Sequence, residues 1–234
     1  MKAAILAGGY GKRLRPLTID RPKPLIEVAG KPILQWQVEW LRRHGVSTVV
    51  FLVGYLKEKI IEYFGSGSKF GIKISYVVED EPLGTAGALK NAEHILGEGS
   101  EIFLVLNGDI LTNIDPAPLV ERLKQQEDKL VAIATVPLRS PYGILRIGEN
   151  DLIEEFIEKP LLKDYWINAG IYAMRPQVFN YIPEKGDIEK TAFPRLAEEH
   201  KILAVRYSDV FWKSIDTHKD IEEASKELKA LGLI

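Results

Sequence analysis

The sequence predicts an α/β fold, doubly wound around a mostly parallel central sheet, with a small β-rich elaboration in its second half. Three observations carry that prediction. Short β-branched and aliphatic runs alternate with longer amphipathic segments as far as Val136. The stretch AGGYGKRLRPLT, Ala7 to Thr18, sets three glycines and three cations directly after the first of those runs. After Pro137 the strands become shorter and more polar, until the apolar run Trp166 to Met174 returns to the core.

Ala3 to Leu6 reads as the first strand. A helix should begin at Pro32, where a missing N–H costs nothing, and run to His44, with Gly45 as its stop. Strand Thr48 to Val53, helix Leu56 to Phe64 and strand Ile72 to Val77 follow. Thr85 is expected to cap a helix reaching Ile95, before strand Ile102 to Leu106, helix Pro116 to Gln126 and strand Leu130 to Val136. Alternation on this scale implies right-handed crossovers and a sheet covered on both faces. Gly143 to Ile147 and Leu152 to Ile157 form the elaboration, and a final helix from Lys219 to Leu231 carries Ile221, Ala224, Leu228 and Leu231 on one face. No linker, low-complexity segment or repeat divides the chain, so residues 1–234 read as a single domain with a cleft.

Composition narrows the function. With 46% hydrophobic residues the chain can bury a substantial core, and its formal charge of -2 gives no general reason to expect nucleic acid or an anionic membrane as a partner. Any anion must be bound locally. The absence of cysteine excludes disulfides and thiolate chemistry and fits a reducing compartment. The apolar run before Gly8 is too short for a signal-peptide core and no later run spans a bilayer, so a cytoplasmic location is expected.

In an open α/β sheet, ligands bind outside the carboxyl ends of the strands, where the Ala7 to Thr18 loop must lie. Glycines let backbone N–H groups approach phosphate oxygens, while Lys12, Arg13 and Arg15 can neutralise the charge. Two familiar phosphate loops do not fit: a Walker loop needs Ser or Thr where Arg13 follows Lys12, and a dinucleotide fingerprint needs a small residue where Leu14 stands. Taken alone, the loop is either a phosphate cradle or a solvated turn. Arg21-Pro22-Lys23-Pro24-Leu25 shifts that balance, because two prolines restrict the backbone around Lys23 and hold it ready to reach the same anion as Arg13. Asp109 ends the strand of Val105-Leu106-Asn107-Gly108-Asp109 at the cleft edge and is the best single metal ligand in the sequence; the alternative is a cap on the Gly108 turn.

LAGGYGKRLRPLT followed by RPKPLIEVAGKPIL resembles the signature of the sugar-1-phosphate nucleotidylyltransferases, closest to mannose-1-phosphate and heptose-1-phosphate guanylyltransferases. The likeness continues in order through VVEDEPLGTAGAL, LNGD, EEFIEKP and INAGIY. It implies a Rossmann-like nucleotidyltransferase fold whose β-rich elaboration binds sugar. It also implies a nucleotide site built from Leu6, Ala7, Gly8, Gly9, Gly11, Lys12 and Arg13 together with Glu79, Pro82, Gly84, Thr85 and Ala86. Glu79 would face the base; a carboxylate accepts both N1–H and N2–H₂ of guanine, so GTP is favoured, although some uridylyltransferases of the family also carry Glu here. The sugar phosphate would meet Asn107, Tyr142, Gly143, Glu158, Lys159, Asn168 and Gly170, with Glu158 on hydroxyls and Lys159 on the phosphate.

One departure stands out. The family closes its site with a Trp-x-Asp-x-Gly-Thr pattern whose Asp is the second metal ligand, whereas here the segment reads Phe211-Trp212-Lys213-Ser214-Ile215-Asp216-Thr217. Aligned on Trp212, Ser214 takes the Asp position and Asp216 lies two residues on. In an extended chain that moves the carboxylate by about 6 to 7 Å. Three readings stand: Asp216 binds the metal after a backbone adjustment, the metal relies on Asp109 and phosphates with Ser214 acting through water, or catalysis is lost and the chain is a nucleotide-sugar-binding regulator.

The favoured expectation is an Mg²⁺-dependent enzyme in which Asp109 and Asp216 hold the metal and Arg13, Lys23, Asp109 and Lys159 are catalytic. Its partners would be a nucleoside triphosphate and a sugar-1-phosphate, with mannose-1-phosphate favoured; uridylyl or thymidylyl transfer is the alternative chemistry, and assembly into a homo-oligomer is left open. No hexapeptide-type repeat follows the last helix, so a stand-alone catalytic domain is expected.

Overall fold

The computed structural model describes residues 1–233. In chain order its elements are β1 (Lys2–Leu6), β2 (Glu27–Val28), β3 (Lys31–Pro32), α1 (Ile33–Arg43), β4 (Thr48–Val53), α2 (Lys57–Phe64), β5 (Lys73–Val78), α3 (Gly84–Asn91), α4 (Glu93–Gly97), β6 (Phe103–Asn107), β7 (Ile110–Thr112), α5 (Ala117–Lys124), β8 (Val131–Arg139), β9 (Ile144–Ile147), β10 (Ile153–Ile157), β11 (Leu161–Met174), α6 (Ala192–Glu198), β12 (Ile202–Arg206), β13 (Trp212–Ser214) and α7 (His218–Ala230).

A seven-stranded sheet in the order β12-β8-β11-β6-β1-β4-β5 forms the centre. β1 pairs in parallel with β4 and β6, β4 with β5, and β12 with β8, while β11 runs antiparallel between β6 and β8. Strands covered on both faces have no solvent side, which is why their sequences read as continuous apolar runs rather than alternating ones. Successive residues of β1 show the consequence: Ala3 and Ile5 enter one core with Leu34 and Leu41 of α1, Ile60 of α2 and Leu119 of α5, and Ala4 enters another with Leu89 of α3, Leu96 of α4 and Leu196 of α6.

A third, smaller core, built around the chain just beyond β6, positions the site. Ile26, Val28, Trp36, Leu111, Phe211 and Ile215 pack there against Ala224 and Leu228 of α7. This core ties α7 and the chain entering it to the segments beside the glycine loop. Thr217 fixes the start of α7 by a capping box: its side chain accepts from the Asp220 N–H, and the Asp220 carboxylate accepts from the Thr217 N–H.

Several expectations need correction. The helix expected from Thr85 to Ile95 is two helices, broken at Ala92, and Thr85 is not its cap. The Thr85 hydroxyl instead donates to Glu189 and accepts from the Ile188 N–H, a tertiary bond that outcompetes local capping. Pro32 closes the β2–β3 pair in extended conformation, and α1 begins one residue later. The two polar strands form the β9–β10 hairpin, which stands out from the sheet with every residue of both strands exposed. β11 begins at Leu161, earlier than Trp166, and shifts register twice against β8. No helix among the described residues is long and apolar enough to cross a membrane.

Candidate active site

The glycine loop leaves β1 at its carboxyl end, bound on one side to β4 by Ala7 N–H to Leu52 O at 2.8 Å and to the Tyr55 N–H through Gly8 O at 3.2 Å. Gly11, at φ 60°, turns the chain into a short 3₁₀ turn over Lys12–Leu14. That left-handed conformation suits glycine, and a Cβ there would also stand 2.9 Å from Lys23 Cβ. Leu14, the residue that spoils the dinucleotide fingerprint, is fully buried and anchors the turn, while the Thr18 hydroxyl donates to Gly11 O at 2.9 Å. The loop is thus fixed by its back while Lys12 and Arg13 remain on the open side.

Lys23 sits at the start of a second 3₁₀ turn, Lys23–Leu25, held down by buried Pro24 and Leu25. Its ammonium lies 2.7 Å from Asp109 Oδ2 and 2.7 Å from Asp216 Oδ1. Arg13 reaches the same Asp216 Oδ1 at 2.8 Å, and Ser214 donates its hydroxyl to Asp216 Oδ2 at 2.9 Å. Three segments far apart in sequence therefore meet at two carboxylates and two cations. Burial alone would raise the Asp216 carboxyl, but the Lys23 ammonium, with Ser214 and Arg13, overcomes it and holds the group below the usual carboxylate range.

The carboxylate displaced by two residues nonetheless comes to Asp109 through Lys23. The strand ends at Ser214, and the Ser214 and Asp216 side chains lie on the same side of the chain, 2.9 Å apart. Buried Ile215 donates its N–H to Asp109 O at 2.9 Å, and Asp216 shares Lys23 with Asp109. Ser214 supports Asp216 by a hydrogen bond.

A cavity of about 430 Å³ opens beside this cluster, within the range of small-molecule sites. Of the residues named from the sequence, Leu6, Ala7, Gly8, Gly9, Gly11, Lys12, Arg13, Lys23, Glu79, Pro82, Gly84, Thr85, Asn107, Asp109 and Asp216 line it. Glu79 Oε1 lies against the backbones of Gly8 and Gly54, so close that a Cβ on Gly8 would fall 2.3 Å from it. Its Oε2 accepts from the Leu83 N–H at 3.2 Å, and burial nonetheless pushes the Glu79 carboxyl above its ordinary value. Ala86 does not line the cavity. Its side chain is fully buried in the core and its N–H is taken by Gly186 O at 2.9 Å.

The residues named for the sugar phosphate fall outside that lining, apart from Asn107. Gly170 packs against the Asn107 side chain and donates its N–H to Asn168 Oδ1 at 2.8 Å. Asn168 in turn donates to the Tyr172 hydroxyl at 2.8 Å. Gly143 lies beside Phe156 and Glu158, Lys159 pairs with Glu158 at 3.2 Å, and Tyr142 is exposed. The set thus divides into a sheet group at Asn107 and a hairpin group at Gly143. Sequence reading missed Tyr10 and Asp187 on the cavity wall. Asp187 is carried there by a turn whose Gly186 N–H donates to Leu83 O, a contact with no local pattern in the sequence.

No group of three or more His, Cys, Asp or Glu side chains suited to a metal occurs among the described residues. Asp109 and Asp216 do converge on one cation, the Lys23 ammonium, and Mg²⁺ characteristically takes one or two carboxylates with phosphate oxygens and waters. The donor set therefore fits that ion when phosphates are present.

A glycine floor, converging cations and a carboxylate pair at the carboxyl edge of a doubly wound sheet are features with which α/β proteins commonly hold phosphates. The chain belongs to the nucleotidyl transferase family, whose description matches residues 2–230. It is 40% identical over 228 residues to the mannose-1-phosphate guanyltransferase of Saccharomyces cerevisiae, an alignment that takes in 94% of this chain and 62% of the yeast protein. The chain thus spans about three fifths of that relative's length. Among solved structures, HddC from Yersinia pseudotuberculosis complexed with GMP-PN superposes with a TM-score of 0.75 at 27% identity, covering 97% of this chain and 99% of that one. A Bacillus anthracis structure provisionally described as a glucose-1-phosphate thymidylyltransferase superposes with a TM-score of 0.78 at 26% identity, covering 97% and 94%.

Proposed function

We propose that this chain transfers a guanylyl group from GTP to mannose-1-phosphate, forming GDP-mannose and releasing pyrophosphate. The observation that carries the proposal is the meeting of Arg13 and Lys23 with Asp109 and Asp216 at a cavity whose wall bears Glu79. The 40% identity to a mannose-1-phosphate guanyltransferase supports the choice of substrates.

An oxygen of the sugar phosphate forms a bond to the α-phosphorus, and the bond from that phosphorus to the bridging oxygen breaks, with both electrons leaving on pyrophosphate. A phosphate monoester is already anionic at neutral pH, so the protein's task is alignment and charge neutralisation. Arg13 and Lys23 can turn from Asp216 toward the β- and γ-phosphates, each losing a carboxylate and gaining a phosphate oxygen. Lys159, paired with Glu158 at 3.2 Å and more than half exposed, can orient the incoming phosphate. Glu79 accepts from the guanine N1–H and N2–H₂. Asp109 and Asp216 would hold Mg²⁺, which supplies charge neutralisation at the phosphates when bound.

The test is pyrophosphate release across a grid of nucleoside triphosphates and sugar-1-phosphates with Mg²⁺. GTP with mannose-1-phosphate should be the best pair. A preference for dTTP or UTP would replace the guanylyl reading, and silence across the grid with nucleotide sugar still bound would replace transfer by sensing.

A further inference from the structure

Gln37 lies in the middle of α1, 3% exposed, among apolar residues. Its Nε2 donates to two carbonyls, Asn107 O at 2.8 Å and Ile110 O at 2.9 Å. Those residues bracket Gly108 and Asp109, so one side chain clamps both ends of the turn that carries the carboxylate. The Gln37 Oε1, by contrast, is buried with no partner among the described residues. An unsatisfied buried amide oxygen costs on the order of 1–3 kcal/mol, and an apolar side chain of similar size would avoid it. The amide is therefore poorly explained as packing. Its two donors are both spent on the Asp109 turn.

The rest of the turn is pinned from other directions. Gly108 N–H donates to Leu6 O at 3.0 Å on β1, and Asp109 O accepts from the Ile215 N–H at 2.9 Å, the residue before Asp216. The clamp by Gln37 completes a set of backbone bonds that reaches from α1 through Asp109 to the segment bearing the second carboxylate.

We infer that Gln37 is a positioning residue for the proposed cation site: it sets the Asp109 carboxylate at the distance and angle at which it and Asp216 serve one cation. This rests on the reading of Asp109 as a metal ligand. Neighbours that orient ligands commonly change metal affinity or activity by about 10- to 100-fold when replaced.

The experiment measures Mn²⁺ affinity in the presence of a non-hydrolysable guanosine triphosphate analogue, from the free-ion resonance signal, beside kcat, KM and thermal unfolding. Gln37→Met keeps volume and loses both donors, and Gln37→Asn keeps the amide but shortens its reach. The expected result for Gln37→Met is an Mn²⁺ dissociation constant raised about tenfold and a lowered kcat, with the sugar-1-phosphate KM within about twofold of the parent; Gln37→Asn falls between. Should Gln37→Met fail to fold, the Asn variant alone carries the same comparison. An altered unfolding temperature with unchanged Mn²⁺ affinity would make Gln37 purely structural and overturn the inference. Asp109→Ala separates the two levels: unchanged Mn²⁺ affinity there would overturn the metal-ligand reading and the inference with it, while a large loss there beside parent-like Gln37 variants would overturn only the role of Gln37.

Discussion

Replacing Lys23 with Met should tighten divalent-cation binding to the free protein while slowing catalysis. The ammonium makes one charge-assisted hydrogen bond to each of Asp109 and Asp216, both at 2.7 Å, and so stands where a shared cation would be coordinated. Hydrogen bonds to charged groups contribute roughly 1.5–3 kcal/mol each. A cation entering the ligand-free protein must displace both, unless a triphosphate first draws Lys23 away. The Asp109 and Asp216 side chains keep 28% and 21% of their surface exposed, so solvent trims the sum of the two bonds. A gain of ~1.4–2.8 kcal/mol remains, which is about 10- to 100-fold in affinity. Titration of Mn²⁺ into the nucleotide-free protein reads this directly, and added Mn²⁺ should raise the unfolding temperature of Lys23→Met more than that of the parent. The same variant should lose about 100-fold in kcat, the loss typical of removing one charge-stabilising donor. Mn²⁺ affinity no tighter than the parent's would refute the claim that Lys23 and a cation share the two carboxylates.

Other outcomes follow from the same geometry. Glu79→Gln should reduce the preference for GTP over other triphosphates by about 10- to 100-fold, since an amide accepts from only one guanine donor while presenting its own; competition assays with mixed triphosphates measure this. Burial raises the Glu79 carboxyl above its ordinary value, so GTP affinity should be complete above that raised value and fall as pH drops through it, sooner than an exposed carboxylate would dictate. Glu79→Gln should flatten that part of the pH profile, and a parent-like profile in the variant would assign the titration to another group. Leu228→Ala removes a side chain 3% exposed in the core beneath α7 and should cost ~2–5 kcal/mol of stability, read by chemical denaturation. A loss below ~1 kcal/mol would mean that α7 is not anchored through that core.

The sheet was legible because strands buried on both faces cannot hide their character: β1, β4 and β6 are apolar except for one polar or charged residue at an end, Lys2, Thr48 and Asn107. The glycine loop, Lys23 and Asp109 were legible for a similar reason, since each lies at or just beyond the end of such a strand or between prolines that fix it. Thr85 was misread as a cap because its hydroxyl is claimed by residues 188 and 189, a partner far away in the chain. Ala86 packs in the core rather than on the cavity wall, because small size serves core packing as well as it serves a flat binding wall. The reach of Asp216 depended on a bond from Ile215 to Asp109 O and on the shared Lys23, neither of which periodicity reports. Gln37 hid in an amphipathic helix, where a polar residue ordinarily marks the solvent face.

The central claim is that Asp216, despite Ser214 standing where the resembled family has its carboxylate, completes a working site with Asp109. Its most direct test is the rate of pyrophosphate release from GTP and mannose-1-phosphate as a function of Mg²⁺, for the parent and for Asp216→Asn. Turnover in the parent, with a loss of about 100-fold or more and a raised Mg²⁺ requirement in Asp216→Asn, is the predicted result. Equal turnover in both proteins at every Mg²⁺ concentration would contradict it.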